Sequence, residues 1–181
     1  MRLNKRSYAI VVGAVVVVLA VVGVRMMLGG KSSPDAKKRE VEVKNLVING
    51  WVVKHNARLD ENRNKIRDFK QLLIEYYSAE TGALVEQQRL LDALTAADLA
   101  AATDDNSGEK ISSFNISDVV FTEEKFTGDK AEVEAAVEFF IKYRTQAQDY
   151  STYGKNTYRW EVAKEKDKWK IVKEEMLPDK E

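Results

Sequence analysis

Hydrophobic and polar positions divide this chain into three regimes. From Tyr8 to Val24 the residues are continuously apolar, with no charge and no strong polar group. At 1.5 Å rise per residue that run makes a helix of roughly 26 Å, and continuing it through Arg25 to Leu28 reaches the ~30 Å of a hydrocarbon core. Farther on, between Ile66 and Leu94, apolar residues recur every three or four positions, the period of an amphipathic helix. From Ile111 the period drops to two, the alternation of half-buried strands.

The apolar run predicts a transmembrane helix over 8–28 after a short basic N-terminus, 1–7. A cleaved signal peptide is the competing reading, because Arg2, Lys5 and Arg6 precede the run. The run exceeds the usual signal length, no small-x-small site follows it, and a retained anchor is therefore expected. Basic residues flank both sides, with Arg25, Lys31, Lys37, Lys38 and Arg39 following, so the positive-inside count points the C-terminal part inwards. The short charged N-terminus nevertheless resembles a bacterial signal-anchor, and the expectation is a single-pass cell-membrane protein with an extracytoplasmic domain.

Residues 29–40, rich in Gly, Ser and Lys, predict a linker. Over 41–60 two readings compete. Asn49-Gly50 between apolar runs signals a hairpin. A heptad stripe through Ile48, Val52, Leu59, Asn62 and Ile66 signals a long membrane-proximal helix, with those five residues as a seam between two protomers. From Leu59 onward the stripe predicts helix. Leu84, Leu90, Leu91 and Leu94 give a second helix, and Thr95 to Asp98 looks like the capping box of a short third one.

Strands are predicted at Ile111–Phe121, with an irregularity at Val119–Phe121, and then at Ala131–Arg144 after a Thr127–Lys130 turn. Two more follow at Thr157–Lys164 and Trp169–Lys173; Gln146–Asn156 reads as a long loop or as strand ends curling away. Helices first and antiparallel strands afterwards predict an α+β domain over 61–181, its helices packed on a curved antiparallel sheet.

Charge sharpens the division. Residues 1–39 hold eight Lys/Arg and one Asp, about +7, although the whole chain is neutral. The acidic remainder has no basic stripe, which argues against nucleic acid, whereas the basic cluster suits anionic lipid headgroups. No Cys and a single His remove disulfides, thiol catalysis and Cys- or His-rich metal sites. No cofactor is called for, and Glu132, Glu134 and Glu138 on one strand face read as a solvated face.

The order IEYYSAETG, a Leu-rich helix, GDKAEVEAAVEF and a closing YRWEVAKEKDKWKIV resembles the nuclear-transport-factor-like (cystatin-like) superfamily over about Ile66–Met176. That resemblance implies a helix-backed cone. Some members are binding cones, and others stand behind one transmembrane helix as envelope assembly factors, including a type IV secretion component whose Asn-Pro motif is missing here. Enzymes on this fold place an Asp or His base with Tyr hydroxyls inside the cone, which makes Tyr76, Asp118, Tyr143, Tyr158 and Trp160 the candidate pocket. With no catalytic signature of its own, the chain is expected to be a non-enzymatic interaction and assembly module of a cell-envelope complex, with other envelope proteins or a second copy as partners. The alternatives are a small-molecule-binding or sensing cone and, behind that, an isomerase- or dehydratase-type enzyme.

Overall fold

The computed structural model describes residues 33–103, 110–145 and 147–178; the Tyr8–Val24 run lies outside them. Among the described residues no helix is long and apolar enough to cross a membrane. In the described residues three α-helices and a 3-10 turn precede four antiparallel strands: α1 Pro34–Asn56, the 3-10 turn Asp60–Lys65, α2 Ile66–Leu73, α3 Ala83–Thr103, β1 Lys110–Thr127, β2 Lys130–Arg144, β3 Asp149–Glu165 and β4 Lys168–Leu177. The sheet order is β1-β2-β3-β4, a meander with the helices on one face.

α1 starts where Ser33 accepts a hydrogen bond from the Ala36 N–H and Pro34 takes the first turn, whose orphan N–H it does not need. Of the two competing readings of 41–60 the helix forms and the hairpin at Asn49-Gly50 does not, and the helix also takes in the last part of the linker expected over 29–40. The reason lies at Gly50. A Cβ there would stand 3.0 Å from Ile171 Cδ1 and 3.1 Å from Tyr76 Cβ, so the glycine serves close packing and not a turn.

The helix ends at Asn56, and Leu59 is extended (φ −61°, ψ 140°), which breaks the continuous helix expected through 59. Val43, Val47, Ile48, Trp51, Val52 and Val53 are all buried, so α1 is apolar on more than one stripe and enters the core. Its direction is fixed by contacts. Lys44 reaches Glu124 near the turn end of β1, while His55 stacks on Phe114 near the start of that strand. The N-terminus of α1 thus points towards the end of the domain that carries the β1–β2 and β3–β4 turns.

α3 is one helix. Thr95, expected to cap a new one, instead donates its hydroxyl to the Leu91 carbonyl one turn back, satisfying itself without a break.

Single-residue bulges set the phase of the sheet. β1 carries register shifts at Ile111/Ser113, Ile116/Asp118 and Phe121/Glu123, and each resets which side chains face inwards. The inward set is consequently Ile111, Phe114, Ile116, Val119, Phe121, Glu124 and Phe126. β2 and β3 pair without a shift from Lys130↔Ala163 to Arg144↔Asp149. β3 begins at Asp149, where a long loop or curling strand ends were expected. β4 carries one shift, leaving Val172 unpaired with β3. The tight β3–β4 turn places Lys166 and Asp167 at φ 50° and 66°, as a two-residue type I′ hairpin demands.

Segment Tyr76–Ser78 adds a single parallel bridge to the outer edge of β4: Ile171 N–H donates to Tyr76 O (2.8 Å) and Ser78 N–H to Ile171 O (2.9 Å). Lys170 reinforces it by donating to the carbonyls of Ile74 and Glu75, both at 2.7 Å.

Candidate interaction surface

The inner face of the sheet is filled. Trp51 of α1 lies 5.7 Å from Tyr158, 5.8 Å from Phe139 and 5.2 Å from Phe114, and Tyr158 stacks on Trp160 at 5.5 Å. Trp51 and Trp160 are both 0% exposed. Of the five residues expected to converge in a pocket, Tyr158 and Trp160 are neighbours, and they form core. Tyr76 lies at the β4 edge, where its carbonyl bonds Ile171. Tyr143 stacks on Tyr150 at 5.1 Å near the far end of β2. The bulge at Ser117 turns Asp118 to the outer face opposite Glu138, and its Oδ1 accepts from the Val119 N–H at 3.0 Å.

The expected seam between protomers is likewise inside the chain. Ile48, Val52, Leu59 and Asn62 are buried, and Ile66 packs partly against the same core. Asn62 bonds the Asn56 carbonyl at 2.9 Å and accepts from Lys65 at 3.3 Å. A seam made of these residues would expose the core, so the heptad stripe reports intramolecular packing.

Sequence reasoning missed a buried polar hub. Glu174 faces inwards opposite Trp160, accepts from Tyr77 OH and from Trp160 Nε1 (3.1 Å), and pairs with Lys54. Burial and the Glu174 charge push the Tyr77 hydroxyl pKa well above its ordinary value. The alternation Trp169, Ile171 predicts Lys173 inside, but the extra residue at Val172 substitutes Glu174. The Lys-Glu-Glu run after an apolar strand was the available signal, and it needed the bulge to be read. Across the sheet Glu174, Trp160, Val133 and Glu124 stand in one row, and Glu124 holds Lys44 at 2.6 Å. Two lysines ten positions apart on α1 thus grip the two edge strands.

Among the described residues no helix covers the outer face. Around its centre it is laced with ion pairs: Arg159 with Glu134 and Glu132 (3.5 Å), Lys155 with Glu138 (2.8 Å), Lys173 with Glu175 (3.2 Å) and Lys125 with Glu123 (2.7 Å). Glu123, Glu132 and Glu134 can bring one oxygen each within 4.8 Å of one another. Arg159 and Lys125 already supply the positive charge there. Towards the far end polarity gives way to Phe140 and Tyr153, 43% and 55% exposed, with ring centroids 5.3 Å apart. An exposed aromatic pair on a sheet face is the kind of position at which protein partners anchor. Sequence alternation places Phe140 outwards, but the strand character of Asp149–Asn156 was needed to bring Tyr153 beside it.

No protein-family model matches this chain, and none of the curated proteins matches it. Among solved structures, the chain is similar to the intermembrane space region of chloroplast protein ARC6 at 15% identity and TM-score 0.52, covering 83% of this chain and all of that one. Identity at this level shows a shared α+β fold. The periplasmic domain of DotI aligns at 14% identity over 83% of this chain and all of its own, with TM-score 0.47. An Ntf2 like protein involved in plasmid conjugation aligns at 10% identity over 64% of this chain and 41% of that one, with TM-score 0.37.

Proposed function

We propose that this chain is a single-pass membrane protein whose α+β domain stands outside the cytoplasm and docks other proteins of an envelope assembly, without catalysing a reaction. The observation that carries the reading is the outer sheet face, where Phe140 and Tyr153 remain exposed together on a surface otherwise neutralised by ion pairs. The direction of α1 supports the tether. Its N-terminus points to the turn end of the domain, so a membrane span at Tyr8–Val24 holds the aromatic pair at the far end, away from the lipid. The likeness to a region that its own description places in an intermembrane space accords with an extracytoplasmic setting. A small-molecule cone is disfavoured because Trp51, Tyr158 and Trp160 occupy the inner face.

The test uses the full chain in its native membrane. A photo-cross-linking amino acid at Phe140 should give adducts of discrete mass that disappear when Tyr153→Asp is added, whereas the same probe at exposed Val85 on α3 should not respond to that change. A reporter that matures only outside the cytoplasm, fused after Glu181, should be active. Absence of adducts at Phe140 removes the docking face, and an inactive exported reporter beside an active cytoplasmic one reverses the topology.

A further inference from the structure

β3 is longer than the strand that flanks it. Its pairing with β4 starts at Thr157↔Leu177, and Pro178 follows, which has no N–H to continue the ladder. From Ser151 to Asn156 no described segment pairs with β3 on the side away from β2. The edge is also regular, since β2 and β3 pair there without a bulge, whereas the opposite edge of the sheet, β1, is broken by three. Regular open edges are templates for strand addition, and bulged ones are not.

We propose that this edge pairs with the same edge of a second copy, antiparallel and centred on Thr152. Two independent features select that register. A two-fold axis perpendicular to the sheet keeps each face with its like, so a residue must face itself across the axis. Centring on Thr152 sets Asp149 opposite the partner's Lys155 and Lys155 opposite the partner's Asp149, with Ser151 opposite Tyr153 between them. All of these lie on the outer face, and opposite charges directly across strands are favourable.

The second feature is steric. The partner's strand enters the column of β4, and centring on Tyr153 would put the partner's Asp149 opposite Thr157, where Leu177 already pairs. Centring on Thr152 stops the partner's strand opposite Lys155, two rows short of Leu177 and one short of Pro178. Centring on Ser151 fits but faces Asp149 with Tyr153 and loses both charge pairs. The Thr152 register is therefore the longest one that β4 permits and the only one of the three that pairs the charges.

The resulting eight-stranded sheet carries both α1 helices on one face, because the axis runs through the sheet. The same axis reverses the strand direction, so the turn ends of the two copies point opposite ways along the sheet, and the pairing itself does not depend on the membrane reading. A seven-residue edge buries less than a standard interface, so association is weak in dilute solution.

Disulfide trapping tests it cleanly in a chain with no cysteine of its own. Self-opposed residues in an antiparallel ladder have Cα atoms about 4.5 or 5.5 Å apart, within reach of a disulfide. Exposed Thr152→Cys in the full chain, in membranes or in solution, should form a covalent dimer far faster than exposed Thr122→Cys on β1. Ser151→Cys mixed with Tyr153→Cys should give the mixed dimer, with little from either alone. Adding Lys155→Asp should abolish the Thr152→Cys dimer, and adding Asp149→Lys as well should restore it. Dimer formation at Thr152→Cys no faster than at Thr122→Cys overturns the pairing, as does a dimer indifferent to Lys155→Asp or one that the double reversal fails to restore.

Discussion

His55 offers a quantitative test of how α1 is seated. Its ring lies 3.8 Å from Trp51 and 4.9 Å from Phe114, with Nδ1 2.8 Å from the Trp51 carbonyl. Burial among these rings, with Lys54 and then Arg58 adding positive charge, pushes its pKa down to about 3, and the bond to the Trp51 carbonyl opposes them only in part. A histidine held neutral in the folded state favours folding fully above its unfolded pKa of about 6.5. That contribution is lost as pH falls from there towards 3, because the unfolded chain takes up the proton first. At pH 5 the gap to the unfolded value is about 1.5 units, or about 2 kcal/mol at ~1.4 kcal/mol per unit.

The perturbation is His55→Phe, which keeps an aromatic ring against Trp51 and Phe114 and removes the titration. Urea unfolding of a chain beginning at Ser33, followed by tryptophan fluorescence at pH 7.5 and pH 5, gives four stabilities. The wild type should lose about 2 kcal/mol more than the variant between the two pH values, since the other titrating groups are common to both and cancel. If the two lose the same amount within about 0.5 kcal/mol, His55 takes up its proton in the folded state and the packing of α1 on β1 is wrong as described.

Glu174→Gln should cost about 3 kcal/mol in denaturant unfolding by leaving Lys54 buried without its carboxylate, and Lys54→Met added to it should recover part of that loss. Additive losses would show that the two groups are not paired. Gly50→Ala gains ~1 kcal/mol of helix propensity but presses a Cβ to 3.0 Å from Ile171 and 3.1 Å from Tyr76, so a net loss of about 1 kcal/mol is expected in thermal melting. A stabilised Gly50→Ala protein would mean that α1 sits farther from β4. Gly154→Ala places a Cβ 2.5 Å from the Phe139 ring and should lose about 1–3 kcal/mol, with a smaller loss in a Phe139→Leu background.

Strand alternation made much of this fold legible. Val133, Ala135 and Val137 face inwards on β2 as their spacing requires, and the Thr127–Lys130 turn falls where Gly128 adopts φ 58°. The first half of β3 was not legible because Asp149–Asn156 lacks a buried face to write an apolar pattern into the sequence. Glu174 was hidden by a one-residue slip at Val172. α1 misled in the opposite sense. Its heptad stripe is real, but a helix buried on several sides satisfies a coiled-coil pattern by accident, and Trp51 and Val53 off the stripe were the sign of that. The candidate surface was half legible, since Phe140 follows from the period of β2 and Tyr153 does not.

The two lysine grips on α1 also have a mechanical meaning. Tension applied to the chain ahead of Pro34 travels along the helix axis and leaves it at Lys44 and Lys54, into Glu124 on one edge of the sheet and Glu174 on the other. A pull shared between both edge strands loads the ladders of β1 and β4 together, where a pull delivered to one edge would load a single ladder. The domain is thus built to be held by its first helix.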